Sequence, residues 1–318
     1  MSFVVLCYNH EQFIRDCLDS ILGQEGEYNF EVIFVDDASP DRSRAVAHAY
    51  TDPRIHFIFH ERNLGHIATV YDGLTAARGQ YVARIDADDR YRNHFLKTVL
   101  PIFAQHPEVG LVYGDAALIN VVGQITQDRS DTVHYGKDFK GNEFVALLKK
   151  NFICAPTVIA RRESWLQSLP IPAGLAFHDW YFTLMMARKY EFYYVNHPLA
   201  DYRVHGGNMH SRNTLEKLEE PAIFRLLDML FNETEREATL ENEKRRARSS
   251  VYAAHYVDMA EKYFGCNYNG DARRCYWQAL KHRPGYLLNA TILRHFLGVV
   301  VGRTIYDSLK AFARPAHR

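Results

Sequence analysis

The sequence predicts an α/β fold with a mainly parallel sheet covered by helices on both faces, followed by a helical C-terminal region. In the N-terminal part, short apolar runs alternate with stretches of helical periodicity, as in consecutive βαβ units. The first apolar run, residues 3–6, is continuous, which is typical of a strand buried on both faces of a parallel sheet. After about Arg212 the strand pattern ends, and apolar residues recur at three- and four-residue spacing. We therefore divide the chain into an α/β domain, residues 1–211, and a helical region, residues 212–318.

The elements follow one another at regular intervals. Ser39 precedes Pro40, so we expect a helix with Ser39 as its N-cap and proline at the first helical position. Strands are predicted at residues 3–6, 30–35, 55–59, 80–85, 111–113, 157–159 and 192–195. Helices are predicted at 11–22, from 39 onward, and at 64–77, 215–230, 233–263 and 271–282.

Three carboxylates lie within four residues directly after the predicted strand 80–85, in Asp86-Ala87-Asp88-Asp89. Like charges this close repel one another, so the arrangement is costly unless a cation lies among them. Oxygen ligands suit Mg²⁺ or Mn²⁺. A calcium EF-hand loop is excluded, because Arg90 occupies the position of the required glycine.

Two other polar loops also follow predicted strands, Tyr8-Asn9 and the segment 36–39. In open α/β sheets, ligands bind at the carboxyl ends of the strands. Because three such loops meet at one edge, the sequence predicts a ligand site there.

The bulk composition narrows the function classes. The 318 residues carry a formal net charge of zero, which gives no reason to expect a nucleic-acid partner. The five cysteines are scattered without a CxxC pair, as in reduced cytosolic proteins. We expect neither a secretory signal nor a membrane-spanning helix, because the start lacks a basic region and the apolar segment 286–302 is interrupted by polar residues. The expected location is the cytoplasm.

The ordered set of motifs resembles the inverting glycosyltransferases of family 2, which have the GT-A fold, a Rossmann-like architecture. The resemblance runs from Phe3 to about Arg212. Its motifs are VVLCYN at 4–9, FEVIFVDDAS at 30–39, RNLG at 62–65, GQYVARIDADD at 79–89, HDW at 178–180 and YRVHGGN at 202–208.

The resemblance implies a role for each matching residue. Tyr8 and Asp37 would hold the base and ribose of a nucleotide sugar, and a carboxylate that accepts from a ring N–H favours uracil. Asp179 would be the catalytic base. The implied cofactor is Mn²⁺ or Mg²⁺. The implied donor-binding residues are Tyr8, Asn9, Asp36, Asp37, Asn63, Asp86 and Ala87, and the implied metal ligands are Asp88, Asp86 and His205.

One residue departs from the family pattern. The family usually has a glutamate before the base, whereas this chain has His178. If that glutamate positions the acceptor or tunes the base, His178 would alter the acceptor preference or the pH response, or would weaken catalysis.

The resemblance implies transfer of a sugar from a nucleotide-diphosphate donor, with UDP-sugars favoured, to a glycan or lipid-linked glycan in bacterial surface polysaccharide or glycoconjugate synthesis. One alternative is a catalytically impaired scaffold that still binds nucleotide sugars. The other is a sugar-1-phosphate nucleotidyltransferase, but its Gly-rich phosphate loop is not present at residues 7–10.

The C-terminal part of the chain is basic and suggests a further partner. Basic residues interleaved with apolar ones are typical of helices that lie on anionic membrane surfaces. Packing on the catalytic domain or on a second subunit, in a homo-oligomer, would explain the apolar residues equally well. The basic residues are Arg294, Arg303, Lys310, Arg314 and Arg318, and the apolar ones are Ile305, Leu309 and Phe312.

Overall fold

One sheet organises the N-terminal part of the chain. The computed structural model describes residues 1–130, 133–134, 136–175, 178–206 and 217–301. The predicted residues Arg303, Lys310, Arg314, Arg318, Ile305, Leu309 and Phe312 lie outside them, as do residues 207–208 of the last motif. The strands in the described ranges are β1 (Ser2–Cys7), β2 (Glu31–Asp36), β3 (Ile55–Phe59), β4 (Tyr81–Asp86), β5 (Arg90–Tyr91), β6 (Val109–Ile119), β7 (Ile125–Gln127), β8 (Phe139–Gly141), β9 (Ile159–Arg161) and β10 (Glu191–Arg203).

The sheet is mainly parallel, as predicted. Its strand order is β3-β2-β1-β4-β9-β6-β10-β5, with β7 paired to β6 and β8 paired to β10. The four strands β3, β2, β1 and β4 are parallel neighbours, and β6 and β10 form another parallel pair. Strand β9 runs antiparallel between β4 and β6.

Each helix bounded in the sequence prediction is present with shifted ends, and further α-helices lie between residues 95 and 187 and at residues 290–301. A 3₁₀ helix covers Ala155–Thr157, and a second one covers Pro284–Leu288. The α-helices are α1 (Ile14–Leu22), α2 (Ser43–His48), α3 (His66–Ala76), α4 (Phe95–Gln105), α5 (Phe144–Lys149), α6 (Arg162–Gln167), α7 (His178–Ala187), α8 (Glu219–Asn232), α9 (Ala238–Gly265), α10 (Asn269–His282) and α11 (Ala290–Val301).

Strand β1 is buried on both faces because helices cover each of them. Phe3 and Val5 belong to the core cluster that includes the apolar residues of α1 and α4. Val4 points the other way, toward α3, where a Cβ added to Gly73 would lie only 2.4 Å from Val4 Cγ1. Glycine at position 73 therefore permits the close approach of α3 to the sheet.

Two predicted local structures were wrong. Helix α2 begins at Ser43 with Arg42 at its N-cap, and not at Ser39. The Ser39 hydroxyl instead donates to Asp36 Oδ1 over 2.5 Å and accepts the N–H of Asn9 over 2.9 Å. Residues 155–157 form a 3₁₀ helix, with Pro156 in its first turn, and the strand begins only at Ile159.

The chain forms two compact units. One comprises Met1–Phe144, Phe152–Ala173 and His178–Asn208 and contains the sheet. The other comprises Val145–Asn151, Gly174–Phe177 and Met209–Arg318, and its helices α8 to α11 pack on one another. Among the helices of the described ranges, none combines the length and the apolar character needed to cross a bilayer.

Candidate functional site

The carboxyl ends of β1, β2 and β4 lie side by side at one edge of the sheet. Cys7 is paired with Asp36, and Leu6 is paired with Asp86. The polar residues that follow these strands therefore share this edge, as the sequence predicted. Tyr8 is 46% exposed there, an unusual exposure for an aromatic ring at the end of a fully buried strand.

Asp37 is buried and accepts hydrogen bonds from the loop before α3. Its Oδ1 accepts the backbone N–H of Leu64 over 2.8 Å, and its Oδ2 accepts that of Gly65 over 2.8 Å. His60 Nδ1 lies 2.7 Å from Asp37 Oδ1, and His60 Nε2 lies 3.0 Å from Asp72 Oδ2. Desolvation opposes ionisation, but the hydrogen bonds from His60 and the two N–H groups outweigh it and lower the pKa of Asp37. Asp37 therefore fixes the position of this loop.

Three other predicted donor-binding residues differ in what they offer a ligand. Asn9 is exposed and has a φ of 63°, in the left-handed region that asparagine tolerates better than most residues. Asn63 is also exposed. Ala87 is buried, and its N–H donates to Leu6 O over 2.8 Å. Its contribution is therefore to hold the acidic loop against β1.

Asp86 has two basic neighbours. Arg84 Nη1 lies 3.9 Å from Asp86 Oδ1, and His66 Nε2 lies 3.5 Å from the same atom. Desolvation would raise the pKa of Asp86, but the charge of Arg84 and the hydrogen bond from His66 outweigh it and hold this pKa well below its usual range. Asp86 therefore remains ionised beside the acidic residues that follow it.

The structure groups Asp88 with two histidines. One ligand atom from each of His10, Asp88 and His205 lies within 4.8 Å of the other two. His205 Nε2 is 2.9 Å from Asp88 Oδ2, and the His205 ring packs on Phe13 with 5.3 Å between centroids. A carboxylate and two imidazoles that converge in this way have the donor set of a divalent metal site. The structure thus brings together two of the three predicted ligands, Asp88 and His205, and adds His10, whereas Asp86 is not a member of this group.

Arg203 stabilises the acidic loop, residues 86–89, through buried hydrogen bonds. Its guanidinium is fully buried, and Nε donates to the carbonyl oxygen of Asp88 over 2.7 Å, while Nη1 donates to that of Val121 over 3.0 Å. Its backbone N–H donates to Asp89 Oδ1 over 2.7 Å. Desolvation and the charge of Asp88 nevertheless raise the pKa of Asp89 well above its usual range. The hydrogen bonds of Arg203 therefore fix the acidic loop, while the carboxylates of Asp88 and Asp89 still repel each other.

His178 and Asp179 form the start of α7. The His178 ring stacks on that of His66, with 5.3 Å between centroids and 15° between planes. The two Nδ1 atoms are 3.2 Å apart, so one must donate and the other must accept. Because His66 also lies beside Asp86, it connects the end of β4 with the helix that carries Asp179.

The pKa of the Cys154 thiol is affected by two carboxylates of the chain. Desolvation raises the pKa of its thiol well above the usual value, and the nearby charges of Asp89 and Asp179 raise it further. The pKa of the Cys154 thiol is therefore influenced by a carboxylate of the acidic loop and by Asp179 at the start of α7.

The sequence reasoning missed three residues of this site: His10, His66 and Arg203. His10 follows Tyr8-Asn9 directly, so its position after β1 was an available signal. His66 follows the RNLG motif, and Arg203 precedes His205 by two residues, but no sequence pattern indicated that either side chain would contact the acidic loop.

Comparison with known proteins identifies the family. The family model for glycosyl transferase family 2 matches residues 2–169, more than half of the chain. The chain belongs to glycosyl transferase family 2. An uncharacterized protein of Mycobacterium tuberculosis is 30% identical to this glycosyltransferase over 251 residues, which cover 75% of this chain and 71% of that protein. The succinoglycan biosynthesis protein ExoO of Rhizobium meliloti is 38% identical over 100 residues, covering 31% of this chain and 28% of ExoO.

Two solved structures share the fold of this glycosyltransferase. TarS 1-349 of S. aureus in complex with UDP-GlcNAc has a TM-score of 0.65 and 15% sequence identity, covering 94% of this chain and 89% of that chain. The mannosyltransferase PcManGT of Pyrobaculum calidifontis, in complex with GDP-Man and Mn²⁺, has a TM-score of 0.60 and 15% identity, covering 94% and 85%. At these identities the likeness concerns the fold, and the predicted GT-A architecture is confirmed.

Proposed function

We propose that this glycosyltransferase moves a sugar from a nucleotide-diphosphate donor, preferably a UDP-sugar, to a hydroxyl group of a glycan or lipid-linked glycan with inversion of configuration. The observation that carries the proposal is the cluster of His10, Asp88 and His205 at the sheet edge that exposes Tyr8. The relationship to ExoO supports a role in bacterial surface polysaccharide or glycoconjugate synthesis.

The cluster fits a divalent cation. Two imidazole nitrogens and one carboxylate suit a first-row transition ion better than Mg²⁺, which prefers oxygen ligands. We therefore favour Mn²⁺ over Mg²⁺, with His10, Asp88 and His205 as its protein ligands. When bound, the ion would neutralise negative charge on the diphosphate.

The donor's nucleoside would lie against Tyr8, whose exposed ring offers a stacking surface. Asp37 Oδ1 accepts two hydrogen bonds from the chain, whereas Oδ2 accepts one. A carboxylate oxygen can accept two, so Oδ2 retains the capacity for one more donor, such as the ring N–H of uracil. This capacity supports a UDP-sugar as the donor. Asn9, Asp36, Asn63, Asp86 and Ala87 line or support the same edge.

Asp179 is the proposed catalytic base. It would accept the proton of the acceptor hydroxyl as that oxygen attacks the anomeric carbon. The attack occurs on the face opposite the departing diphosphate, so a single displacement inverts the configuration. One carboxylate is sufficient for this role.

The proposed compartment is the cytoplasm. All five cysteines are free thiols, and Cys7, Cys17 and Cys275 are buried. Unpaired buried thiols are typical of proteins from reducing compartments.

A panel of UDP-, dTDP- and GDP-sugars tests the proposal. We expect one of these donors, a UDP-sugar, to raise the melting temperature of the protein. The protein should hydrolyse this donor slowly when Mn²⁺ is present and should not hydrolyse it when EDTA is present. The Asp88→Asn variant serves as the matched negative control. If no nucleotide sugar stabilises the protein with Mn²⁺ or Mg²⁺ supplied, the proposal is wrong. Binding without hydrolysis or transfer would instead support the impaired scaffold.

A further inference from the structure

The helical unit ends in a segment with an unusual charge distribution. From residue 272 to residue 301 the sequence contains five Lys or Arg residues and no Asp or Glu. Arg273, Lys281 and Arg294 are exposed and, within the described part of the chain, form no ion pair. Arg283 is also exposed, and its guanidinium lies 5.1 Å from the centroid of the Tyr286 ring. Arg274 is paired with Glu220, and the charges of Arg273, Lys281, Arg283 and Arg294 are available to an external anion.

The same segment exposes large apolar side chains. None of the residues of the 3₁₀ helix Pro284–Leu288 is buried. Leu288 is 91% exposed, and Leu287 is 51% exposed. Trp277 on α10 and Leu297 and Val300 on α11 are each more than half exposed. Trp277, Leu287, Leu288, Leu297 and Val300 are thus exposed within one short segment, whereas exposed apolar residues on a surface that contacts only water are usually scattered singly.

The charges and the apolar side chains lie on common faces of the two helices. Lys281 follows Trp277 by four residues on α10, and Leu297 follows Arg294 by three residues on α11, spacings that place side chains side by side. The 3₁₀ helix lies between α10 and α11 in the chain and packs on both. We call these residues, namely Trp277, Lys281, Arg283, Leu287, Leu288, Arg294, Leu297 and Val300, the cationic apolar face.

We propose that the cationic apolar face docks on an anionic lipid surface, with Trp277, Leu287, Leu288 and Leu297 in the interfacial region and the basic residues at the headgroups. Cations mixed with Trp and Leu side chains are the composition of helices that lie in a membrane interface. Lys and Arg keep their charged ends at the headgroups while their stems cover apolar surface. Residues 272–301 contain no Asp or Glu, which limits repulsion from lipid phosphates, and the carboxylate of Glu261 lies 3.2 Å from His295 Nδ1 of α11.

The charge argues against a second copy of the chain as the occupant. A twofold dimer brings the same patch of each subunit together. Lys281, Arg283 and Arg294 would then face their own copies without a carboxylate on the face to neutralise them. Nucleic acid would satisfy the charges but would leave Leu287 and Leu288 in contact with water or phosphate. A lipid surface satisfies both kinds of side chain.

Vesicle flotation with the full chain tests the proposal. We expect binding to vesicles of phosphatidylcholine mixed with phosphatidylglycerol at low salt, and weaker binding at high salt or with phosphatidylcholine alone. The double variant Lys281→Gln/Arg283→Gln should bind about 25-fold more weakly, at about 5-fold for each cation near the surface. Leu287→Ser/Leu288→Ser should also lose binding, and both variants should fold because these side chains are exposed. Circular dichroism and melting temperature check this.

Val122→Ser provides the matched control, because Val122 is 75% exposed but lies in the other compact unit. It should bind vesicles like the wild type. The proposal is overturned if the wild type ignores anionic vesicles, or if the leucine double variant binds as well as the wild type. It is equally overturned if ultracentrifugation shows a dimer that the leucine variant dissociates while vesicle binding is absent. None of these outcomes depends on the donor or on sugar transfer.

Discussion

Two pairs of neighbouring aspartates lie at one edge of the sheet, and their surroundings differ. Asp36 and Asp37 accept hydrogen bonds from hydroxyl, backbone N–H and imidazole donors of the chain. In the other pair, Asp88 faces the ring of His205, and Asp89 accepts one N–H from the backbone of Arg203. The first pair is held by several donors of the chain, whereas in the second pair Asp88 lies beside histidines and Asp89 lies beside the charge of Asp88.

The direction of the pKa shifts follows this difference. Donors that converge on Asp37 lower its pKa despite burial. Burial and the neighbouring charge of Asp88 raise the pKa of Asp89. A carboxylate at a strand end therefore becomes a loop anchor when the chain supplies donors, and it becomes a candidate ligand site when the chain supplies further carboxylates and imidazoles.

The largest effect is expected at a third carboxylate outside both pairs. Asp179→Asn removes the proposed base, so transfer should fall by about 10²- to 10⁴-fold. Binding of UDP with Mn²⁺, measured by calorimetry, should persist because Asp179 is in neither pair. Unchanged transfer in this variant would show that another group takes the proton.

Asp88→Asn should separate ligand binding from stability. We expect Mn²⁺ affinity to fall by at least about 100-fold, because a metal ligand contributes more than its supporting neighbours do. The free energy of unfolding without metal should change by less than about 1 kcal/mol, because losing the contact with His205 is offset by relief of repulsion with Asp89. Titration of Mn²⁺ by calorimetry and urea unfolding measure the two quantities. Wild-type Mn²⁺ affinity in the variant would contradict the proposed cluster.

Asp37→Asn should lower the stability of the protein while leaving its Mn²⁺ affinity almost unchanged, the opposite of Asp88→Asn. The amide cannot accept at both positions, so its NH₂ group would face the N–H of Leu64 or Gly65, and we expect a loss of about 2 kcal/mol in the free energy of unfolding at neutral pH. Mn²⁺ affinity should change little.

The pH dependence of this loss has a definite sign. Because folding lowers the pKa of Asp37, its ionised form stabilises the protein above the unfolded-state pKa of about 3.9, and this contribution is lost as the pH falls through the lower folded-state value. The difference between wild type and Asp37→Asn should therefore shrink on acidification. Urea unfolding of both proteins at a series of pH values measures it, and a difference that stays constant would show that Asp37 stabilises the loop without its charge.

The smallest effect is expected at His66, which connects Asp86 with His178. His66→Gln should lower kcat by about 3- to 10-fold through misplacement of α7, with little change in the KM for the donor. His56→Gln is the control, because the His56 side chain is 53% exposed on β3. If the KM for the donor rises instead while kcat is unchanged, His66 acts on Asp86 and not on the helix of Asp179.

Much of the fold could be predicted from the sequence because burial leaves a strong local signal. The run before Tyr8 is apolar at every position, which requires helices on both faces of β1. The convergence of three polar loops followed from the parallel order of β1, β2 and β4. The N-cap at Ser39 was wrong because its hydroxyl bonds to Asp36 and to the N–H of Asn9, partners that local helix propensity does not include.

The candidate site was less predictable, because its contacts join distant parts of the chain. Asp88 and His205 are separated by 117 residues, and Arg203 and Asp88 by 115. No local pattern indicates contacts over such sequence separations, so the contact of Arg203 with the acidic loop could not be predicted, whereas His10 directly follows the polar residues after β1 and its position was a usable signal.

The amino-acid order by itself determined where β1, β2 and β4 end and that acidic side chains would meet at one edge, since periodicity and burial act over neighbouring residues. Only the packed tertiary structure decided which carboxylates would accept hydrogen bonds from the chain and which would lie beside imidazoles. That choice depends on donors and charges brought within a few ångströms of one another by the packing of the sheet and its helices.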